Sequence, residues 1–581
     1  MARFSRKRVG VAIFLLLVAF GFRLFVALRL PNDTPDDGRV YAQIARNILE
    51  QHVYSHEEQP PFVPSLIRLP GYPLFLSAVY AVAGHGNNTL VRVFQAVIDT
   101  GTCALIALVA FQWSDDEERR RNATIVALLL AAICPFTAIY VATILTEVPT
   151  SFLAVLLCLL STLAFKTVDR RRSVVLWLLA GLTAGFGVFF RPDSGLFAAA
   201  IGFTILLSSL RAVPKQIFIH RFRKAVVSAA IFTFAFCLVL VPWTIRNRRV
   251  FGVFQPLSPT HGEMPGEFVP RGYLMWLRTW LDDGRYIGPV LWQLDSAPIS
   301  IDAFPKKAFD STEERERVAV LMEKYNGKEA EAGAEAGVGE GAGAGAGAGA
   351  ENAAAPETSP NKSGEAQKSG EAQADQKKSP EAESEDQGDD QGEDDGEDEG
   401  DEESSDEESQ DSADSAPSDV EMTPEIDAAF AQIARERISR APLRYYVILP
   451  LKRASTLWFD THSQYYPFDG ELLPLKDLDY EIHQQYWLPL FAGLTWVYTI
   501  LGALGGWLLY RSRNADARRW VMLAGLIIFL RLGFFSTLEN PEPRYTVEIF
   551  PFLAILGGIA VSLLTPIRKR AEHDSLDSAL D

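Results

Sequence analysis

Apolar runs of spanning length recur along this chain, at 9–30, 89–112, 123–145, 148–165, 173–190, 194–210, 225–243, 487–510, 520–537 and 547–565. Roughly twenty residues of helix cross the hydrocarbon core of a bilayer. A helix satisfies its own backbone there, which an open strand in lipid cannot do. The pattern therefore predicts an all-α transmembrane fold of about ten spanning helices. The stretch 70–83, PGYPLFLSAVYAVA, is shorter and broken by proline, and is expected to lie at the interface. The first run follows RFSRKR and no small-residue cleavage site comes after it, so it reads as a signal-anchor helix.

The polar intervals between the runs fix an orientation. With a cytoplasmic N-terminus, the inner segments are RFSRKR, DDEERRR (115–121), KTVDRRR (166–172), 211–224 with HRFRK, RSRNADARR (511–519) and PIRKR (566–570). Every one is rich in Lys or Arg, as cytoplasmic loops are. The outer side then receives 31–88, the link at Glu147, the link 191–193, the long loop 244–486 and the segment 539–545. Arg246, Arg248 and Arg249 break the charge rule on that side, which fits either contact with an anion or snorkelling to the interface.

Composition changes this picture in one place. The net charge of −18 and mean hydropathy of +0.06 average two unlike materials. Residues 327–421 hold 31 Asp/Glu against 5 Lys, leaving 50 Lys/Arg against 42 Asp/Glu elsewhere. This Gly/Ala-rich, then Ser/acid-rich insert has too few large apolar residues to bury a core and is expected to be disordered. The chain thus divides into helices one to seven with the first outer loop (1–243), an outer loop (244–326), the insert (327–421), an amphipathic and interfacial part (422–486), and the last three helices with a cytoplasmic tail (487–581). Within 422–486, residues 426–440 read as an amphipathic helix and 443–459 as an aromatic–basic stretch for the membrane surface. All four cysteines lie in apolar runs, so no disulfide framework is expected.

Candidate chemistry collects on the outer side. The first outer loop opens TPDDGRVYAQIARNILEQ, where Thr34 can cap a helix with Asp36 and Asp37 in its first turn. Tyr41 follows Asp37 at i+4 on the same face, with Ala45 and Ile48. Glu147 is placed at the end of the third helix, Arg191 and Asp193 after the fifth, Arg246 and Asn247 after the seventh, and Arg544 and Tyr545 before the last. Within the second helix, Arg92, Gln95 and Asp99 share a face. Intramembrane charge is expensive, so Asp99 reads as functional or as paired with Arg531.

The order PDDGRVYAQIARNILE, RLPGYPLFL, LVRVFQAVIDTGTCALIALV, ILTEVP, FRPD, VPWTIRNRRVFGVFQPLSP and EPRYTVEIFPFL resembles the type-C polytopic membrane glycosyltransferases. It is similar in particular to the bacterial branch related to protein O-mannosyltransferases and the lipid A aminoarabinose transferase. The likeness covers 9–325 and 425–567 and leaves out the acidic insert. It implies transfer of a sugar from a polyprenyl-phosphate donor, with inversion, to an acceptor hydroxyl on a protein, lipid or glycan at the outer face of a bacterial inner membrane. It also implies an acid four positions before a Tyr (Asp37 and Tyr41, with Asp36 beside them), a second acid at Glu147, and the pair Arg544–Tyr545.

Those residue types suit that reaction. A carboxylate takes the acceptor proton as the anomeric carbon is attacked, and guanidinium groups steady the departing lipid phosphate. Asp37 is the expected base, assisted by Glu147, with Arg191, Arg246 and Arg544 toward the phosphate. No cofactor is certain, and a divalent metal bridging the carboxylates to the phosphate is compatible with the sequence. The competing readings are a transporter or flippase of a lipid-linked substrate and a polysaccharide polymerase or ligase.

Overall fold

A computed structural model describes residues 6–30, 36–84, 86–114, 116–210, 215–327, 420–459, 482–512 and 514–565, except for the side chains of Asp36, 215–217 and 482–488. Of the acidic insert, 328–419 lies outside the described residues, as does the Thr34 cap. The described residues belong to one compact unit.

Among the described residues the fold is helical and contains no strand. The first half runs through α1 (Arg6–Arg29), α2 (Asp36–Glu50), α3 (Gly71–Ala83), α4 (Asn88–Trp113), α5 (Glu117–Ala132), α6 (Pro135–Ala138), α7 (Glu147–Lys166), α8 (Arg170–Phe190), α9 (Gly195–Ser209) and α10 (Lys215–Phe251). The second half holds α11 (Arg271–Leu277), α12 (Thr312–Tyr325), α13 (Pro424–Arg440), α14 (Leu449–Phe459), α15 (Ile482–Arg511), α16 (Ala515–Phe535) and α17 (Phe550–Leu564). Helix starts are set by side-chain caps. Asp116 accepts from the amides of Glu118 and Arg119, and Asp169 from that of Arg171. Asn514 accepts from Asp516 in the same way, each cap answering a donor that has no partner within its helix.

Among the described residues eight helices are long and apolar enough to span, or nine if a bent pair counts as one. Two of the ten expected runs account for the difference. The run 123–145 is broken by Pro135 into α5 and a short continuation that turns by 52°. The run 520–537 falls in α16, a full 21-residue helix that also carries Arg518, Arg519 and Arg531. Two other boundaries move as well. Glu147 opens α7 rather than closing the helix before it, and α10 continues through Arg246 and Asn247 to Phe251.

Small residues let the helices approach closely. A Cβ on Gly505 would collide with the Leu556 carbonyl, and one on Gly558 would sit 2.7 Å from the Ala127 amide nitrogen. Aromatic stacks fill the wider gaps, including Phe136 on Phe550 at 4.3 Å and Trp113 on Trp520 at 5.8 Å.

A second core lies in the long outer loop. Tyr273, Trp276, Trp280, Phe304, Phe430 and Met322 bury one another, and Asp427 accepts from the Tyr273 amide at 2.8 Å. Arg437 pairs with Glu314 inside it. This body is fastened to the helices by Arg453, which donates to the Leu281 carbonyl at 2.7 Å, and by Arg278, which pairs with Glu539 at 2.7 Å. The expected helix at 426–440 and the aromatic–basic stretch at 443–459 appear as α13 and as a π turn (Arg444–Ile448) leading into α14.

Candidate active site

Helix α2 is held on α3. Ser77 donates to the Ala45 carbonyl at 3.2 Å, and Tyr41 meets Tyr72 edge-on at 5.2 Å. This fixes Asp37 one turn before Tyr41 with its side chain about one-third exposed (33%), so an incoming hydroxyl can reach it. Arg68 donates to one carboxylate oxygen at 2.7 Å and Arg544 to the other at 3.4 Å. Burial pushes the Asp37 carboxyl up, but Arg544 and Arg68 together outweigh it and hold the group below the ordinary carboxylate range. Arg68 also lies 5.9 Å over the Tyr41 ring. Burial pushes the Tyr41 hydroxyl up to about 12, in the combined field of Arg68, Asp37, Glu147 and Arg191.

A second cluster sits beside the first. Arg191 pairs with Asp193 at 3.0 Å and with Glu548 at 3.3 Å, while Arg531 pairs with Asp193 at 3.0 Å and with Glu548 at 2.8 Å. These four groups close a ring of alternating charge. Glu147 hangs on it through a 2.8 Å pair with Arg191, while its other carboxylate oxygen is buried with no hydrogen-bond partner. Tyr545 joins the two clusters. Arg191 lies 5.8 Å and Arg544 5.3 Å from its ring centre, and Phe535 stacks on it at 4.5 Å. Arg544 also pairs with Glu542.

Asp37, Tyr41, Glu147, Arg191, Asp193, Arg544 and Tyr545 are thus brought together from four stretches of the chain: α2, the start of α7, the link 191–193 and the 3-10 turn Pro543–Ile549. Arg246 and Asn247 are not among them. Arg246 packs over Trp243 at 4.9 Å, Phe251 at 5.0 Å and Tyr54 at 5.3 Å, and donates to the Ser65 carbonyl at 2.7 Å. Asn247 donates to the Gln255 carbonyl at 2.8 Å. Both shape the loops beside the site. The Asp36 side chain lies outside the described residues.

Asp99 does not pair with Arg531. Its partner is Arg23 of the first helix, at 2.5 Å, while Arg531 is taken by the ring. The sequence reading passed over Arg23, Arg68 and Glu548. Arg23 and Glu548 gave the same signal as Asp99, an ionisable group inside an apolar run. Arg68 gave none, since its loop has no periodicity to mark a facing side. Among the described residues no three His, Cys, Asp or Glu side chains gather as a metal would need, and the carboxylates described here are each met by an arginine.

Residues 63–243 match the family model of dolichyl-phosphate-mannose-protein mannosyltransferases. This mannosyltransferase-like segment holds Arg68, Glu147, Arg191 and Asp193, and lies between Asp37 and Arg544 in the chain. No curated protein matches the sequence. Among solved structures, the oligosaccharyltransferase of Archaeoglobus fulgidus tethered with an acceptor peptide aligns with TM-score 0.44 and 10% identity over 95% of this chain and 49% of its own. The oligosaccharyltransferase AglB from Archaeoglobus fulgidus, in complex with an inhibitory peptide and a dolichol-phosphate, aligns with TM-score 0.43 and 10% identity over 96% of this chain and 51% of its own. A complex with Zn and sulfate gives 0.41 and 10% identity over 95% and 50%. This chain spans about half the length of those archaeal chains. Its apolar helices and its mannosyltransferase-like segment make it a multi-pass integral membrane protein.

Proposed function

We propose that the chain transfers a sugar from a polyprenyl-phosphate donor to an acceptor hydroxyl at the outer face of a bacterial inner membrane, with inversion and with both termini cytoplasmic. The observation that carries this reading is Asp37, a partly exposed carboxylate held between Arg68 and Arg544 one helical turn before Tyr41. Asp37 takes the proton of the acceptor hydroxyl as its oxygen attacks the anomeric carbon. The bond from that carbon to the phosphate oxygen breaks, and its electron pair leaves with the polyprenyl phosphate.

Arg544 and Arg68 link the two ends of this displacement. In the free protein they hold Asp37 ionised and weakly basic. A guanidinium that turns from Asp37 toward the donor phosphate steadies the leaving group and raises the basicity of the carboxylate it leaves. Arg191, already matched by three carboxylates, is better suited to holding Glu147 in place than to gripping phosphate. Glu147 keeps one oxygen free, which allows it to orient the acceptor or the sugar. The acceptor is a protein, lipid or glycan hydroxyl.

The test is a panel of radiolabelled polyprenyl-phosphate sugars presented to the purified protein in lipid. Consumption of at least one donor, with release of polyprenyl phosphate, is the expected result. Complete inertness toward mannosyl, glucosyl and aminoarabinosyl donors, each offered with protein, lipid and glycan acceptors, would refute the reading.

A further inference from the structure

The backbone between α5 and α7 leaves the helix inside the membrane body. Residues 136–150 are all buried, and Thr143 is already extended (φ −97°, ψ 148°) before Glu147 opens α7. Non-helical backbone at this depth requires partners for its carbonyls. Tyr498 donates to the Leu130 carbonyl at 2.5 Å and Thr143 to that of Tyr140 at 3.0 Å, and two further side chains serve the others. Arg23 donates to the carbonyls of Ala131 at 3.0 Å and Ala132 at 3.1 Å, the last residues of α5. Gln95 donates to the carbonyls of Val141 at 3.2 Å and Thr143 at 2.7 Å, and accepts from the Tyr72 hydroxyl at 2.9 Å. Asp99, one turn beyond Gln95 on the same face of α4, holds the Arg23 guanidinium at 2.5 Å. The space beside this pair is about 10 Å³, too little for a substrate.

We infer that Arg23, Gln95 and Asp99 are positioning residues, a clamp on the broken third span that delivers Glu147 to the outer site. The arrangement makes use of each group's chemistry. Three separate nitrogens of one planar fork serve Asp99 and two successive helix-end carbonyls, a spread that the single ammonium nitrogen of lysine cannot reproduce. Tyr72, which meets Tyr41 edge-on, carries the clamp through Gln95 to the face of α2 that holds Asp37. The kinetic part of this inference rests on the transferase reading, and the structural part does not.

Hydrogen exchange and donor turnover, measured on the same full-length preparations of wild type, Arg23→Lys and Gln95→Leu, test it. Arg23→Lys keeps the charge facing Asp99. Gln95→Leu leaves the ion pair untouched and so serves if the first variant does not fold. Exchange of the amides at 133–146 should accelerate about tenfold or more in both, with α7 itself unchanged. Turnover kcat should fall on the order of a hundredfold while the donor KM moves less than about twofold, because binding is kept and Glu147 is misplaced. Unaltered exchange at 133–146 would overturn the clamp. Accelerated exchange with wild-type kcat, or a change confined to KM, would overturn its positioning role. If the wild type consumes no donor, the transferase reading fails by itself and the exchange result alone decides the clamp.

Discussion

At the scale of single residues, Asp37 and Tyr41 were legible because a helix places i and i+4 on one face whatever it packs against. Arg68 and the true partner of Asp99 were not, because a sequence does not state which helix lies beside which. The structure adds a consequence for acid–base behaviour. With its carboxyl held down by Arg544 and Arg68 against the effect of burial, Asp37 stays ionised through neutral pH. The acid limb of kcat/KM, which reports the free protein, should therefore lie below the ordinary aspartate value of about 3.9. The stabilisation from these pairs follows the same sign: full above the unfolded value, and lost as pH falls through the lower folded one. A limb near pH 6 in a pH–rate profile would contradict this assignment. Arg544→Lys keeps the charge but gives up the fork, so the donor KM should rise about tenfold, seen in donor-binding titrations as well as in kinetics. An unchanged donor affinity would remove Arg544 from the phosphate.

At the scale of elements, hydrophobic run length placed every spanning helix, and side-chain content decided where the pattern misled. Pro135 bends one run, and Arg531 sits in another because Asp193 and Glu548 await it. Runs report the average polarity of a segment, and the ring that accommodates its one charge belongs to two other segments. That ring should matter for stability as well as for the site. Glu548→Leu takes from buried Arg531 one of its two carboxylate partners and from Arg191 one of three, a loss toward the lower end of about 3–5 kcal/mol. Thermal unfolding in detergent should register it as a clear drop in Tm. Arg531→Leu with Glu548→Leu, which removes both charges, should recover part of the loss. A single variant as stable as wild type would mean that the ring does not hold α16 against the 3-10 turn Pro543–Ile549.

At the scale of the whole molecule, the orientation read from six basic segments makes a demand on every outer element. Single cysteines at Gln59 and Glu313, both exposed, should react with an impermeant thiol reagent on intact cells, in a background lacking Cys103, Cys134, Cys158 and Cys237. A cysteine at Arg170 should react only after lysis. The reverse pattern would turn the protein over and put Asp37 on the wrong side of the membrane for this chemistry. The central claim is narrower: one carboxylate, set between two arginines, takes the acceptor proton. Its most direct test is donor turnover by Asp37→Asn beside Asp36→Asn, at matched expression and with donor binding measured in parallel. An amide of the same shape cannot accept the proton, so Asp37→Asn should lose on the order of 10²–10⁴ in turnover while still binding donor. Asp36→Asn should lose far less. Full turnover in both variants would contradict the account.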